Sequence, residues 1–448
     1  MTNSQPMPVS PFVSIDDETA AQSNVDPALQ SALDASIARY RARNPCSAAQ
    51  AERAAAVMPG GNTRSSLWAD PFPLCMAGGH GARLRDVDGH EYRDFLGEFT
   101  AGIFGHSPAP IQAAIDAAFA GGVSLSSHNL LEVELAETLQ SRFPSMQRLR
   151  FCNSGTEANM MAVMAARHFT GRRKLLIFAG AYHGTGMTVS TDARQDQMPP
   201  DFLLARYNDL DEARRVARVH SGDLAGILVE PMLGAGGCVV GDPDFLFGLQ
   251  ALAAETGALF MLDEVQTARL ALGGRQELLG LNPDLTTIGK FFGGCLAFGC
   301  FGGRLDVMQM FDPRRSDAVA HAGTFNNNIL AMAAGLVATR DLLTAEALDR
   351  LNSRGEHLRE TLNRLFERQG APFRTTGIGS LMNIHPIGRA EDASAVRALL
   401  YHELLAEGIF IAQRGLIALS MPISQEDIDA FLTAVGAFID RNGCVLRT

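Results

Sequence analysis

The chain has 448 residues, of which 38 are basic and 49 are acidic, so its formal net charge is −11. Hydrophobic residues make up 46% of it and charged residues 19%, which is typical of globular proteins and excludes wholesale disorder. The acidic balance argues against nucleic-acid or anionic-membrane binding, which requires clustered lysine and arginine. No apolar run reaches the roughly 18 residues of a membrane-spanning helix, and the first residues lack signal-peptide features.

Two residue counts bear directly on chemistry. The seven cysteines form no CxxC pair, which favours a reduced, cytoplasmic protein over a disulfide framework. Only two of the basic residues are lysines, Lys174 and Lys290. Any reaction that requires a lysine amine must therefore use one of them.

The N-terminal part of the chain contains three kinds of segment. Residues 1–30 carry acidic side chains and no basic one, so we expect a disordered, solvated tail. Residues 57–80 are rich in glycine, proline and serine, which is typical of loops. Alternating apolar and polar residues about an Asp-Gly pair predict a β-hairpin over 84–95. We assign 31–90 to the N-terminal part of a small domain.

The middle of the chain alternates short apolar runs with helical stretches. The runs, each typical of a buried strand, are 149–153, 174–180, 226–231, 258–264 and 285–289. Helical patterns lie between them, for example over 154–170 and 242–256. This order predicts βαβ units and a mostly parallel sheet, so we assign 91–335 to a large α/β domain. Residues 336–448 mix amphipathic helices with short strands, which predicts the C-terminal part of a small α+β domain.

Polar residues follow several of these apolar runs. In open parallel sheets, ligands bind at the carboxyl ends of the strands. The residues expected there are 153–156, 180–184, 230–231, 263–264 and Lys290. The sequence therefore predicts a functional site at this edge of the sheet.

Residues 154–157 read Ser-Gly-Thr-Glu, the spacing of a helix capping box. Taken alone, such a box usually only caps a helix. This one follows a buried strand, so its free N–H groups and the hydroxyls of Ser154 and Thr156 suit a phosphate. Gly155 allows the ligand to approach the backbone closely.

Lys290 and Asp263 end two of the apolar runs. Lys290 precedes a Gly-Gly turn, where partial desolvation would make its amine available for a Schiff base. Lys174 lies in the basic cluster 172–174, which better fits a solvated surface position. A buried carboxylate such as that of Asp263 needs a cationic partner, and a protonated pyridine nitrogen or an arginine fits equally well.

Six short motifs follow one another along the chain. They are 153–159 (NSGTEAN), 182–184 (YHG), 230–231 (EP), 263–267 (DEVQT), 289–290 (GK) and 323–326 (GTFN). Together they resemble the class III pyridoxal-phosphate aminotransferases. Within that class the chain most resembles the subgroup of glutamate-1-semialdehyde aminomutase and β-phenylalanine aminotransferase. The resemblance leaves only the N-terminal tail outside.

The resemblance implies an architecture and a cofactor. The fold would be that of fold-type I enzymes, with a large, mostly parallel seven-stranded sheet domain and a smaller α+β domain built from both chain ends. The cofactor would be pyridoxal 5′-phosphate. The protein would be a homodimer with its active sites at the interface.

The resemblance also implies a role for each site residue. Lys290 would carry the cofactor as a Schiff base and then move the proton, while Asp263 pairs with the pyridinium nitrogen. The other implied cofactor-binding residues are Ser154, Gly155 and Thr156 at the phosphate, Tyr182 and Val265 on the two ring faces, Gln266 at the phenolic oxygen, Glu230, and Thr324 at the neighbouring subunit's phosphate. The carboxylates of the two substrates would bind Arg64 and Arg414, which by spacing alone fit solvated surface positions.

These assignments predict an aminotransferase that moves the amino group of a β-amino acid, such as β-phenylalanine, to 2-oxoglutarate or pyruvate. Two differences from the aminomutases favour a transferase: the Phe-Asn-Asn-Asn of 325–328 replaces their Ser-Gly-Asn-Pro, and they lack an arginine like Arg414. The alternatives are an aminomutase, a transferase for a bulkier amine, and a catalytically idle binding protein. Intact Lys290 and Asp263 argue against the idle protein.

Several other conspicuous residues carry no assigned chemistry. Cys295 and Cys300 are expected to be buried small hydrophobes. The histidines that lack metal-ligand spacing are His106, His128 and His183. We therefore predict no metal site. Trp68 and Phe72 fit a core position and the wall of a substrate pocket equally well.

Overall fold

The computed structural model describes residues 25–191 and 193–446. Most of the predicted tail lies outside the described residues, and residues 27–30 already belong to a helix. The chain forms two compact units. The large unit is Ala109–Arg350, and the small unit is the described part of Pro11–Pro108 and Leu351–Thr448.

Helices make up much of both units. The α-helices among the described residues are α1 (Pro27–Arg43), α2 (Pro45–Ala55), α3 (Ala109–Ala120), α4 (Leu130–Arg142), α5 (Gly155–Thr170), α6 (Leu210–Val219), α7 (Pro243–Thr256), α8 (Gly274–Leu279), α9 (Leu305–Met308), α10 (Ile329–Val337), α11 (Ala345–Gln369), α12 (Ala393–Ala406) and α13 (Gln425–Leu446). None of these described helices combines the length and the apolar character needed to cross a membrane.

The strands lie between these helices. They are β1 (Met76–His80), β2 (Arg83–Asp86), β3 (Glu91–Asp94), β4 (Arg148–Cys152), β5 (Lys174–Phe178), β6 (Phe202–Ala205), β7 (Leu224–Val229), β8 (Met232–Leu233), β9 (Val239–Val240), β10 (Leu259–Asp263), β11 (Leu285–Gly289), β12 (Gly299–Gly303), β13 (Phe373–Ile378), β14 (Leu381–Pro386), β15 (Ile409–Phe410) and β16 (Leu416–Ala418). Each of the five predicted apolar runs overlaps one of them.

A seven-stranded sheet forms the centre of the large unit, in the order β4-β12-β11-β10-β7-β5-β6. Its strands are parallel except β12, which is antiparallel to both β11 and β4. This sheet confirms the predicted fold class. Strand β12 was not predicted, because its sequence, Gly-Cys-Phe-Gly-Gly, has too few side chains to show a strand pattern.

Both faces of this sheet are buried, and strand β5 illustrates why its sequence is continuously apolar. Leu175 and Ile177 belong to one core cluster, together with the alanine-rich face of α5. Leu176 and Phe178 belong to a second cluster, which includes apolar residues of α6 and α7. Because successive side chains of a strand point to opposite faces, the sheet must lie between two helical layers.

The small unit contains a mixed sheet built from both ends of the chain and an antiparallel sheet from its C-terminal part. One has the order β1-β2-β3-β15, and the other has the order β13-β14-β16. The predicted hairpin forms between β2 and β3, with Arg83 opposite Arg93. Strand β15 then pairs in parallel with β3, so that Ile409 lies opposite Arg93.

The boundaries between the two units fall at 108/109 and 350/351, later in the sequence than the predicted limits at 90/91 and 335/336. Residues 91–108 belong to the small unit, because β3 pairs with β15 from the C-terminal segment. Residues 336–350 belong to the large unit, because Arg142 of α4 donates hydrogen bonds to the carbonyls of Thr339 and Leu343.

Four residues without an assigned chemical role can now be placed. Cys300 is buried as expected, but Cys295 is exposed. That expectation was wrong because Cys295 lies in the turn after Gly294, with φ 74°. Phe72 is buried, and its ring centroid lies 5.1 Å from that of Tyr40, which makes it part of the core of the small unit. Trp68 is 48% exposed.

Candidate active site

The parallel strands bring the predicted site residues to one edge of the sheet. Residues 153–156, 180–184, Glu230 and Lys290 follow the carboxyl ends of β4, β5, β7 and β11, and Asp263 is the last residue of β10. Lys174 instead begins β5, so it lies at the opposite edge, where its Nζ is 3.3 Å from the carbonyl oxygen of Pro200. Of the two lysines, only Lys290 is placed to serve this site.

The serine half of the predicted capping box forms at the start of α5, while the Glu157 side chain bonds the residue before the N-cap. The Ser154 hydroxyl accepts a hydrogen bond from the Glu157 N–H at 3.1 Å, and the Glu157 carboxylate accepts one from the Asn153 N–H at 2.9 Å. A Cβ at Gly155 would lie 2.9 Å from the side chain of Val265. A Cβ at Gly184 would lie 2.2 Å from the Thr156 hydroxyl. These contacts pack a helix N-terminus, suited to a phosphate, against the segments that carry Tyr182 and Val265.

Lys290 has an unusual backbone conformation. Its φ is 54°, in the left-handed region that residues other than glycine rarely adopt. It begins the 3₁₀ turn Lys290–Gly293 directly after β11. A Cβ at Gly289 would lie 3.3 Å from the backbone nitrogen of Gly155. The residue before the lysine therefore packs on the phosphate-binding turn, which places Lys290 beside that turn.

The Asp263 carboxylate is buried within a network of hydrogen bonds. Its Oδ2 lies 2.7 Å from His183 Nδ1 and accepts a bond from Asn159 Nδ2, also at 2.7 Å. Its Oδ1 accepts the N–H of Val265 at 3.0 Å. The hydroxyl of Thr287 donates to Asn159 Oδ1 at 2.7 Å and so fixes the orientation of the amide. Several donors on one buried carboxylate stabilise its charge and hold it in one position.

Three members of this network were not assigned from sequence: Asn159, His183 and Thr287. All three are at most 2% exposed. The signal available in the sequence was a polar residue at a position where the pattern of the neighbouring residues predicts a buried apolar side chain. Asn159 lies on the alanine-rich face of α5, and Thr287 lies within the apolar strand β11. Which buried groups these side chains contact is decided by the packing of α5 on the sheet.

Glu230 holds the loop that carries Tyr182. Its carboxylate accepts hydrogen bonds from the N–H groups of Tyr182 at 2.8 Å and Gly234 at 3.1 Å. Burial raises the pKa of Glu230 to about 7, and the neighbouring charges of His183 and Asp263 act in opposite directions on it. Glu230 thus positions two loops at the edge of the sheet.

Two buried polar atoms at this edge have no hydrogen-bond partner among the described residues: Gln266 Oε1 and His183 Nε2. The Gln266 amide packs directly on Gly234, where an added Cβ would lie only 2.2 Å from it. A phosphate-binding turn, a lysine, a buried carboxylate and unsatisfied polar atoms fit the pyridoxal phosphate that the sequence implied.

Three asparagines hold the loop that carries Thr324. The Asn326 Oδ1 accepts a bond from Asn153 Nδ2 at 3.0 Å, which ties the loop to the phosphate-binding turn. The Asn327 Nδ2 donates to the Ser127 carbonyl at 3.2 Å, and the Asn328 side chain caps α10. Thr324 itself is exposed. The asparagine run noticed in the sequence therefore fixes this loop at the surface of the large unit.

Arg64 and Arg414 meet at one aromatic ring within the small unit. Their Cζ atoms lie 5.7 and 5.5 Å from the centroid of the Phe99 ring. Arg64 also donates to the Glu98 carboxylate at 2.7 Å, and both of these side chains are about half exposed. Sequence reasoning had chosen the two arginines but had assigned nothing to Glu98 or Phe99.

The three histidines considered as possible ligands each lie beside a carboxylate. His183 contacts Asp263, as described above. His106 Nε2 is 2.9 Å from an oxygen of Asp94. His128 Nδ1 is 3.4 Å from an oxygen of Glu132.

The fold and this set of residues match a known enzyme family. The family model of the class III aminotransferases matches residues 65–439. The chain therefore belongs to the class III aminotransferases.

Individual relatives are similar over nearly the whole chain. The chain is 48% identical to the β-phenylalanine transaminase of Variovorax paradoxus, over 94% of this chain and 98% of that protein. It is 38% identical to a glutamate-1-semialdehyde 2,1-aminomutase of Sorangium cellulosum, over 88% of this chain and 95% of the aminomutase.

Solved structures show the same likeness. The crystal structure of a β-phenylalanine aminotransferase from V. paradoxus superimposes with a TM-score of 0.90 at 47% identity, covering 93% of this chain and 99% of that one. A transaminase with PLP bound matches with a TM-score of 0.84 at 33% identity, covering 90% of this chain and 99% of that one. These structures confirm the predicted family and its fold-type I architecture.

We expect Glu230→Gln to change how the stability of the protein depends on pH. The pKa of Glu230 is raised from 4.5 to about 7, so folding favours its protonated form. Its contribution to stability is complete below about pH 4.5 and is lost as the pH rises through about 7. As the pH rises from about 4.5 to about 7, the free energy of unfolding of the wild type should therefore fall relative to that of Glu230→Gln.

Urea unfolding of both proteins at several pH values measures this difference. Glu91→Gln, at an exposed glutamate of β3, is the matched control for the change of a carboxylate to an amide. A difference between wild type and Glu230→Gln that does not vary with pH would contradict the raised pKa of Glu230.

Proposed function

We propose that this chain is a pyridoxal-phosphate-dependent aminotransferase that moves the amino group of an aryl β-amino acid to 2-oxoglutarate or pyruvate. The observation that carries the substrate assignment is the convergence of Arg64 and Arg414 on Phe99. Two guanidinium groups beside one aromatic ring suit a carboxylate donor and a carboxylate acceptor that bind in turn. The high identity to a β-phenylalanine transaminase supports the same assignment.

The residues of the large unit would hold the cofactor and move the proton. Pyridoxal phosphate, when bound, supplies the electron sink for removing a proton from the carbon that bears the amine. Lys290 would hold the cofactor covalently through its amine, and the same amine would carry that proton. Asp263 would hold the proton of the pyridine nitrogen, since its carboxylate is fixed in place by His183 and Asn159.

The remaining cofactor contacts orient the ring and the phosphate. Ser154, Gly155 and Thr156 would hold the phosphate at the start of α5. Tyr182 and Val265 would hold the ring from its two faces, and Gln266 would bond the phenolic oxygen. Glu230 acts indirectly, because its carboxylate positions the backbone of Tyr182.

The arginines would recognise the substrates. Arg64 binds the carboxylate of the β-amino acid and Arg414 that of the keto acid, and each bidentate contact contributes about 1.5–3 kcal/mol. The aminomutase relative represents the second function open to this scaffold. A substrate panel that pairs β-phenylalanine, simple amines and glutamate semialdehyde with either keto acid distinguishes the aminotransferase from the aminomutase. Turnover confined to amines without a carboxylate would contradict the proposal.

We propose a homodimer in the cytoplasm. Large apolar side chains near the Thr324 loop are exposed on the large unit: Leu125 at 46%, Leu130 at 82% and Phe325 at 63%. Such a patch favours association, and the resemblance assigns Thr324 to the neighbouring subunit's phosphate.

The seven cysteines form no disulfide in the described chain, which supports a reducing compartment.

Lys290→Ala should abolish cofactor attachment, because Lys174 lies at the opposite edge of the sheet. The absorbance band of the bound cofactor at about 400–430 nm should disappear in this variant. Lys174→Ala is the matched control and should keep the band. Borohydride reduction followed by peptide mapping should label Lys290, and a label on Lys174 would contradict the assignment.

The two arginine substitutions should separate the substrates. Arg64→Ala should raise KM chiefly for a 3-amino-3-arylpropanoate, and Arg414→Ala chiefly for the keto acid, each by about tenfold or more. Steady-state kinetics with each substrate varied in turn measures the effect. Arg374→Ala, at an exposed arginine of β13, should change neither KM. Equal effects of both site variants on both substrates would argue against separate roles.

Thr324→Ala should weaken cofactor binding by about tenfold without dissociating the dimer, since it removes only one hydrogen bond to a charged phosphate. Phe325→Asp should instead yield monomers that bind the cofactor weakly. Light scattering and cofactor titration measure both, and Thr433→Ala on the exposed surface of α13 is the control. A wild-type monomer that binds the cofactor tightly would contradict the dimer.

A further inference from the structure

The residues that contact Arg64 and Arg414 belong to a turn whose backbone lies in the left-handed region. Three consecutive residues other than glycine have positive φ angles, Glu98 at 48°, Phe99 at 51° and Thr100 at 82°, and they follow Gly97 at 54°. Residues with a Cβ disfavour this region, and runs of them are rarer still. Backbone in such a conformation persists only where its surroundings enforce it, and it is concentrated at functional sites.

The small unit holds this turn firmly. The Gly102 N–H donates to the Gly97 carbonyl at 2.8 Å, which closes the turn. Just before it, the Phe95 carbonyl accepts a bond from the Ala418 N–H at 2.8 Å, and the Phe95 side chain is fully buried. A Cβ at Gly97 would lie 2.9 Å from the Ala418 carbonyl. The strained segment is therefore anchored to β16 and to the core.

The turn presents Glu98 and Phe99 to the two arginines. Phe99 lies beside both guanidinium groups, whereas Glu98 makes its 2.7 Å contact with a single nitrogen of Arg64. A one-point contact between half-exposed groups contributes little to stability. A substrate carboxylate can bind the same guanidinium through two parallel hydrogen bonds, which is the stronger arrangement.

We propose that Glu98 is a resident counter-ion of Arg64, which occupies the guanidinium between turnovers and is displaced by the carboxylate of the β-amino acid. This inference rests on the proposed function. Glu98 then competes with the carboxylate of the β-amino acid for Arg64, whereas a simple amine, which has no carboxylate, does not have to displace it. The keto acid is unaffected, since Arg414 recognises it.

The test is binding of 3-phenylpropanoate, which has the aryl group and the carboxylate but no amine, to the holoenzyme by calorimetry. Arg64→Ala should weaken binding. Glu98→Gln should tighten it by about two- to fivefold, the range expected when one exposed ion pair no longer competes. Glu98→Asp should tighten it similarly, because the shorter side chain loses its contact with Arg64. Combined with Arg64→Ala, neither Glu98 change should have any effect.

Steady-state kinetics gives the second measurement. Glu98→Gln should lower KM for the β-amino acid and leave KM for the keto acid unchanged, while Glu91→Gln changes neither. Weaker or unchanged binding in Glu98→Gln, with Arg64→Ala still weakening it, would overturn this inference and leave the proposed function standing. If Arg64→Ala does not affect binding and β-amino acids are not turned over, the proposed function itself fails.

Discussion

The large unit is organised around one buried negative charge. Asp263 ends a central strand whose two faces are covered by apolar side chains, so its carboxylate has little access to water. Such a charge is tolerated only when donors surround it. Those donors come from three separate elements: Asn159 from α5, His183 from the loop after β5, and Val265 from the chain just beyond Asp263. Satisfying this one group therefore fixes the helix and both loops relative to the sheet.

The same elements bring the phosphate-binding turn and the lysine together. Close approach requires glycine, because any side chain at Gly155, Gly184 or Gly289 would press on its neighbours. The Lys290 backbone takes a strained conformation directly after this packed region. Strain at a reactive residue persists where the surrounding structure enforces it, and here the sheet and the turn at Gly155 provide that enforcement.

Much of the large unit could be predicted because its signals are local. Buried parallel strands read as apolar runs, a capping box marks the start of α5, and ionisable residues at strand ends mark the reactive edge. The motifs and their order then identified the family. Strand β12 was not predicted, because its glycines show no strand pattern. Its place in the sheet comes from pairing with the flanking strands β4 and β11, through residues such as Cys152 and Gly289. Cys295 was wrongly expected to be buried, because the glycine-rich sequence around it does not show that it lies in a turn and not in a strand.

By itself, the sequence determined the fold class, the family and the choice of Lys290 over Lys174, because each depends on local patterns and on their order along the chain. The tertiary structure decided which distant residues meet. Arg64 and Arg414 come from opposite ends of the chain, yet both lie against Phe99, because strands from both ends form the small unit. Likewise Asn326 reaches Asn153 only because the fold returns the chain to the start of α5. Such contacts depend on how the elements pack, and no local pattern of side chains encodes that packing.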